Sequence, residues 1–414
     1  MKCRHCQAEL RLPFLDLGHA PPSNAYLSET AVQGPETWFP LRILVCESCW
    51  LVQTEDHAGR EALFTDDYAY FSSFSSSWLA HSRRYVDTMI SRFGLGAHSM
   101  VTEIAANDGY LLQYVQAAGI PCYGVEPTAS TAQAARERGI DIVQRFFGVE
   151  LGDELAEQGR AADLVAANNV LAHVPDINDF VSGFAALLKP QGVATFEFPH
   201  LLRMVQESQF DTAYHEHYSY LSLTSVSRIF AANGLAVFDV EHLGTHGGSL
   251  RVFAQRLDTG KHETTAEVAR TLDEEQRAGV AGADFYARFQ QQAERVKNDL
   301  LAFLVELRRG GKRIAAYGAA AKGNTLLNFA GVRPDLLPYV VDLNPAKQDK
   351  YLPGSHIPVV AEARLREDRP EYILILPWNL KTEVSEQLAY ARHEWNAKLV
   401  TAIPSLSIDS SPQA

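Results

Sequence analysis

The stretch V-T-E-I-A-A-N-D-G-Y-L-L-Q-Y-V-Q-A-A-G-I-P-C-Y-G-V-E, Val101 to Glu126, constrains the fold of this chain more than any other. It reads as a strand ending at Ile104, a tight loop over Ala105 to Gly109, a helix from Tyr110 to about Ala118, and a second strand ending on Glu126. Small residues let the loop backbone approach a ligand closely, and the helix N-terminus offers unpaired N–H groups. An acid at the end of the next strand, about 20 residues on, takes the hydroxyls of a ribose. The layout suits an adenosine-containing cofactor, with Glu103, Ala105, Asn107, Asp108, Gly109 and Glu126 as the candidate residues. A nicotinamide dehydrogenase is disfavoured, because Ala105 stands where G-x-G-x-x-G has its first glycine.

Alternating elements follow. Thr131 to Arg138 has helical character, and Asp141 to Gln144 is a short strand before Phe146 and Phe147, which are placed to flank an adenine ring. Asp163 to Ala167 is a buried strand leading into Asn168 and Asn169. A helix over Phe180 to Leu188 is ended by Pro190 and Gly192, and Val193 to Phe198 is the next strand. This alternation predicts an α/β fold with a doubly wound parallel sheet and ligands at the strand C-termini. Apolar residues at spacings of three and four (Phe285, Phe289, Ala293, Val296, Leu300, Leu304, Leu307) predict a helical connector from about Thr265 to Arg309, closed by Gly310 and Gly311. A second unit of the first kind comes next: strand Arg313 to Tyr317, loop Gly318 to Asn324, helix Thr325 to Phe329, and strand Tyr339 to Val341 ending on Asp342. Its loop–helix junction with Lys322 suits a pyrophosphate, and Asp342 is placed for a ribose. Two such units imply two nucleotide-bearing ligands.

Cys3-x-x-Cys6 and Cys46-x-x-Cys49 are the strongest local signal. Four thiolates in two tight turns suit tetrahedral Zn²⁺, and a closed set of this kind is structural rather than catalytic. Four free thiols are the alternative. Leu41 to Val45 reads as a strand feeding the second pair. The aromatic, hydroxyl-rich run from Phe64 to Trp78 reads, from its residues alone, as a packed linker before a helix over Leu79 to Phe93. At 414 residues the chain has room for roughly two or three domains. Its formal net charge of −13 argues against nucleic acid or an anionic membrane as partner. With no long apolar run and no signal-peptide core after M-K-C-R-H-C, a cytoplasmic location is expected.

The segment F-D-T-A-Y-H-E-H-Y-S-Y-L-S, Phe210 to Ser222, is hard to explain as core. H-E-H is not the H-E-x-x-H of a metal site, but a histidine beside a glutamate and a tyrosine is a workable proton-transfer group. A hydrogen-bonded surface turn is the alternative. Glu216 is expected to orient the His217 imidazole or stabilise its protonated form, which would raise its pKa. A helix over Thr224 to Asn233 follows. Strands over Ala236 to His242 and Leu250 to Gln255 then bracket T-H-G-G-S, where His246 is placed to reach a ligand.

The ordered set of paired C-x-x-C, E-I-A-A-N-D-G, Y-H-E-H, T-H-G-G-S, and Y-G-A-A-A-K-G-N-T followed by V-D-L-N-P-x-K-Q resembles the nucleotide-sugar C-methyltransferases of deoxysugar biosynthesis. The resemblance covers nearly the whole chain. It implies a zinc-binding domain over 1–62, a class I methyltransferase domain over 63–258, a helical connector over 259–309, and a C-terminal Rossmann-like sugar-nucleotide domain over 310–408. It implies S-adenosylmethionine as cofactor, zinc on Cys3, Cys6, Cys46 and Cys49, and residues near the methyl donor at Asn168 and Asn169. His217 would be the general base, with Glu216 and Tyr214 beside it, and Tyr70 an active-site tyrosine. Substrate contacts would come from His173, His246, Gly247, Lys322, Asn324, Asp342 and Lys347. The implied reaction removes a proton α to the ketone of a 4-keto-deoxysugar nucleotide, C3 favoured over C5, and the enolate takes the methyl group. Many relatives have E-I-G where this chain has E-I-A, and only a slight shift in cofactor geometry is expected. O- or N-methylation, and a catalytically silent zinc- and nucleotide-binding partner protein, are the alternatives. The oligomeric state is left open, a monomer included.

Overall fold

Val101 to Ile104 are buried without exception, as a central parallel strand requires. The computed structural model, which describes residues 1–57 and 71–409, arranges three sheets around that strand. In chain order the first strands are β1 (Leu12–Ala20), β2 (Phe39–Val45) and β3 (Val52–Thr54). The central unit supplies β4 (Val101–Ile104), β5 (Cys122–Val125), β6 (Ile142–Val143), β7 (Ala162–Asn168) and β8 (Leu188–Pro199). Then come β9 (Ser219–Tyr220), β10 (Leu235–Leu243) and β11 (Ser249–Arg256). The C-terminal unit holds β12 (Ile314–Tyr317), β13 (Val340–Val341), β14 (Val359–Val360), β15 (Tyr372–Ile375), β16 (Lys398–Thr401) and β17 (Ser407–Asp409).

The central sheet runs β10-β11-β8-β7-β4-β5-β6, parallel from β6 to β8, with β11 antiparallel to both its neighbours. Strand order reverses at β4, so the Ala105 to Gly109 loop opens into the crevice of a doubly wound sheet. The C-terminal sheet runs β14-β13-β12-β15-β16-β17 and reverses in the same way at β12. The third sheet, β1-β2-β3-β9, takes its last strand from the Y-H-E-H-Y-S-Y segment.

Three departures from the sequence reading have local causes. β8 begins at Leu188 and passes through Pro190, because its register to β7 jumps from Ala162↔Leu188 to Leu164↔Val193. The residues between bulge out of the ladder, where proline needs no donor. The connector is broken into helices Ala266–Ala278, Ala283–Tyr286 and Phe289–Arg309, because Gly279 (φ 88°) caps the first in the left-handed conformation. The first helix packs on β10 and the last on β1. Lys322, Gly323 and Asn324, read as loop, lie in a helix spanning Ala321–Ala330.

One core joins the two ends of the chain. Phe14 and Leu41 of the first sheet, Phe289 and Leu300 of the long helix, and Leu326 and Leu374 of the C-terminal unit pack together. Phe14 stacks on Phe289 at 4.5 Å and 7°, worth about 0.5–1.5 kcal/mol beyond area burial. Among the described residues, no helix is long and apolar enough to cross a membrane.

Candidate active site

The four paired cysteines converge. Their Sγ atoms lie within 4.8 Å of one another, with Cys3–Cys49 and Cys6–Cys46 at 3.5 Å. A zinc tetrahedron with bonds of about 2.3 Å has edges of about 3.8 Å, so the four sulfurs stand within about 1 Å of the spacing such a site needs. The two turns are alike: Gln7 after Cys6 (φ 63°) and Trp50 after Cys49 (φ 64°) both turn left-handed. Gln53 Nε2 donates to Cys3 Sγ at 3.3 Å. With four protein ligands no coordination position is open, and the metal is structural.

The cofactor loop is held from below by its acid. Glu126, 4% exposed, accepts from the Asn107 N–H at 2.9 Å and the Thr128 N–H at 3.0 Å. Burial raises its pKa, and the Thr128 and Asn107 donors oppose that shift. Ala105 (φ 58°) and Asn107 (φ 50°) both take left-handed backbone. Gly109 (φ 78°) does too, and a Cβ there would fall 2.3 Å from Ile140 Cδ1. Asn168 and Asn169, at the end of β7, line the same cavity, and neither carbonyl Oδ1 has a partner among the described residues. Buried acceptors without partners, lining the same cavity as Ala105 and Asn107 of the loop, suit a polar cofactor such as S-adenosylmethionine. Phe146 and Phe147 complete this wall.

His217 has a defined tautomer. Its Nδ1 stands 2.7 Å from the Thr212 carbonyl, which can only accept, so the proton is on Nδ1. Nε2 then carries the lone pair and accepts from the Tyr214 hydroxyl at 2.8 Å. Burial holds the His217 pKa well below the ordinary histidine value, with the neighbouring His173 adding to the effect. The ring is therefore neutral near pH 7. His173 packs against it at 4.5 Å and donates from Nδ1 to the Glu216 carbonyl at 2.8 Å. Burial brings His173 and His246 each down to about 4.

The second α/β unit supplies the opposite wall, with Ala320, Ala321, Lys322 and Lys347. Lys322 Nζ lies 4.8 Å over the Trp378 ring and 3.4 Å from Asn379 Oδ1. Burial lowers its pKa, and Asp211 opposes. Lys347 Nζ donates to the Ala319 carbonyl at 2.8 Å.

One cavity of about 360 Å³ thus collects Ala105, Asn107, Glu126, Phe147, Asn168, Asn169, His173, Tyr214, His217, His246, Lys322 and Lys347. Other candidates are placed elsewhere. Glu103 is wholly buried beneath the loop, and burial drives its pKa far up. Asp108 faces Arg138 at 3.2 Å, and Gly109 shapes the turn. Gly247 packs on Trp378, whose ring would lie 2.4 Å from an added Cβ. Asn324 is buried and donates to the Ser23 carbonyl at 2.6 Å. Asp342 accepts from the Ala319 N–H at 2.8 Å and stays behind its loop.

Glu216 does not serve His217 as expected. Its carboxylate accepts from Asn24 N (3.2 Å) and Nδ2 (3.1 Å), and burial raises its pKa. The imidazole is oriented by Thr212 and Tyr214 instead, and its pKa is lowered rather than raised. His215 bonds the Pro40 carbonyl at 3.2 Å, away from the cavity. Tyr70 lies outside the described residues.

Asn24 and Tyr26 were not found by sequence reasoning. Asn24 lines the cavity, and the Tyr26 hydroxyl donates to the Ala319 carbonyl at 2.5 Å. P-P-S-N-A-Y carries no motif, and these contacts join residues roughly 200 to 300 positions apart, so no local signal marks them. Trp78, stacked on His81 at 4.9 Å, is a further cavity residue that the sequence left in a linker.

Family models match three successive segments. A zinc binding domain covers residues 3–64, a methyltransferase domain 78–240, and a C-methyltransferase C-terminal domain 244–404. C-methyltransferase NovU of Streptomyces niveus is 35% identical over 383 residues, spanning 92% of this chain and 91% of that protein. A ubiquinone biosynthesis O-methyltransferase of Bordetella avium (strain 197N) is 34% identical over 101 residues, 23% of this chain and 41% of that protein. Among solved structures, 1,6-didemethyltoxoflavin-N1-methyltransferase of Burkholderia thailandensis is 17% identical and covers 50% of this chain and 96% of that one, with a TM-score of 0.37.

Proposed function

Because this chain belongs to the S-adenosylmethionine-dependent C-methyltransferases with an N-terminal zinc-binding domain, we propose that it methylates a nucleotide-linked 4-keto-deoxysugar at a carbon α to the ketone, through an enolate. The observation that carries this reading is the single cavity in which the Glu126 loop, the Tyr214–His217 pair and two lysine ammonium groups meet. Glu126 and the Asn107 loop take the adenosine end of the cofactor. Lys322 and Lys347 take the diphosphate of the sugar nucleotide. The Tyr214–His217 pair lies between them.

An α-proton of a ketone is a weak acid, and its removal needs a positioned base. The lone pair on His217 Nε2 is already occupied by the Tyr214 hydroxyl proton. Tyr214 Oη takes the carbon-bound proton as its own proton passes to Nε2, leaving an enolate and an imidazolium whose Nδ1–H stays on Thr212. S-adenosylmethionine, when bound, supplies the electrophilic methyl group that the enolate carbon takes. The division of labour follows domains over 1–62, 63–258 and 310–408, with 259–309 between them, and thiols kept as metal ligands suit a cytoplasmic setting.

The test is product analysis with S-adenosylmethionine and 4-keto-6-deoxyhexose nucleotides carrying different bases. Mass spectrometry should show one added methyl, and NMR should place it on C3 or C5. A methyl on oxygen or nitrogen would transfer the assignment to O- or N-methylation. No S-adenosylhomocysteine across the panel would sink the reading.

A further inference from the structure

The peptide that carries His217 is held by the zinc-binding domain. β3 starts three residues after Cys49 and pairs with β9 through Val52↔Tyr220 and Gln53↔Ser219. At the end of β3 the Thr54 N–H donates to the Tyr218 carbonyl at 3.1 Å. The Thr54 hydroxyl donates to the His217 carbonyl at 2.6 Å, and the residue is 1% exposed. Arg4, between Cys3 and Cys6, approaches the same segment. Its Nε donates to the Tyr218 carbonyl at 3.3 Å and its Nη2 to the Thr54 carbonyl at 2.7 Å. The Arg4 N–H bonds Gln53 Oε1 at 2.9 Å, and the Gln53 amide in turn reaches Cys3 Sγ. Hydrogen bonds therefore run without a break from a metal thiolate to the His217 peptide. Neither Thr54 nor Arg4 lines the cavity.

We propose that Thr54, backed by Arg4, is a positioning residue for His217, and that the zinc-binding domain sets where the imidazole stands against the substrate. The inference rests on His217 being the terminal proton acceptor. The ring pivots on its own peptide, and its remaining freedom is taken by the Nδ1–H bond to Thr212. A shift of the peptide moves Nε2 relative to Tyr214 and the substrate carbon while leaving both ligand-binding walls in place.

The experiment is steady-state kinetics of Thr54→Val and Thr54→Ser, with S-adenosylmethionine and a thymidine diphosphate 4-keto-6-deoxyhexose, alongside zinc content and melting temperature. Thr54→Val keeps the shape and deletes the hydroxyl. It should lose about 10- to 100-fold in kcat, the scale set by displacements on the order of 1 Å. Both KM values should stay near wild type, zinc should be retained, and Thr54→Ser should restore turnover. In ¹⁵N-histidine spectra without substrate, the His217 ring signals, identified by their loss in His217→Asn, should shift in Thr54→Val and return in Thr54→Ser. Wild-type kcat in Thr54→Val, or a loss shared by kcat and KM that serine does not restore, would overturn the proposal. Unchanged His217 ring signals would also overturn it, even if the sugar nucleotide chosen is not the substrate. His217→Asn separates the two readings: full turnover there removes the base assignment and this inference with it. An inactive His217→Asn beside a normal Thr54→Val removes only the inference.

Discussion

Glu126 and Asp342 hold the same station in two copies of one chain pattern, yet only the first reaches the cavity. Each closes the second strand of its unit. Each accepts from an N–H in the preceding loop and from the N–H two residues on: Asn107 and Thr128 for Glu126, Ala319 and Asn344 for Asp342. In the first unit the acid also forms part of the wall. In the second it is turned behind the loop with Lys347 at 3.7 Å, and the wall is left to ammonium groups. The latch is a folding device common to both units. The sign of charge presented to the cavity is a separate choice, an acid on one side and ammonium groups on the other.

The proposed proton transfer rests on the Tyr214–His217 pair rather than on either acid, and the largest expected effect tests that. His217→Asn should bind both ligands by calorimetry and lose methyl transfer by about 10²–10⁴-fold, the usual share of a general base. Loss of either binding event would return the histidine to one of the walls.

Next in size is the response to acid, because burial holds several histidines neutral. His173, His215 and His246 are brought down to about 4, first of all by burial, while an unfolded histidine titrates near 6.5. Above about pH 6.5 these histidines are neutral in both states and contribute no slope. Between about pH 6.5 and 4 the unfolded chain binds protons that the folded histidines refuse, so their contribution to stability should fall, opposed by the buried Glu103, Glu126 and Glu216, which hold protons the unfolded chain releases. Melting temperature against pH checks this, and His173→Asn should flatten the slope. By the same sign, turnover should stay level from pH 8 down to about 6, since His217 titrates well below the ordinary value of about 6.5.

The paired substitutions come third. Glu126→Ala should weaken S-adenosylmethionine binding by about 1.5–3 kcal/mol and leave the sugar nucleotide nearly untouched. Lys322→Ala should show the reverse pattern at similar size. Asp342→Ala should lower the melting temperature and change affinity less than Lys322→Ala does. If Asp342→Ala instead abolished sugar-nucleotide binding, the two acids would have the same role.

The smallest effect concerns Ala105. Left-handed backbone costs an L-residue about 1–2 kcal/mol that glycine is spared, so Ala105→Gly should stabilise the protein by up to about 1 kcal/mol in denaturant melts. S-adenosylmethionine affinity should hardly move.

Short-range patterns were legible from the chain alone. The C-x-x-C pairs identify four metal ligands because a tight turn brings each pair together whatever the rest of the fold does. The Val101 to Glu126 unit and its later copy show because apolar runs, small loop residues and a terminal acid recur at intervals that local geometry dictates. The stripe from Phe289 to Leu307 marks a buried helix face. Partnership across the fold was not legible. Glu216 beside His217 reads as a dyad, but in the folded chain the carboxylate turns to Asn24, 192 residues away. Asn324 reads as a ligand-binding residue and is spent on Ser23, 301 residues away. The His217 carbonyl is held by Thr54 across 163 residues. Periodicity states which face of an element is buried, whereas the packing of three sheets on shared cores decides what that face meets.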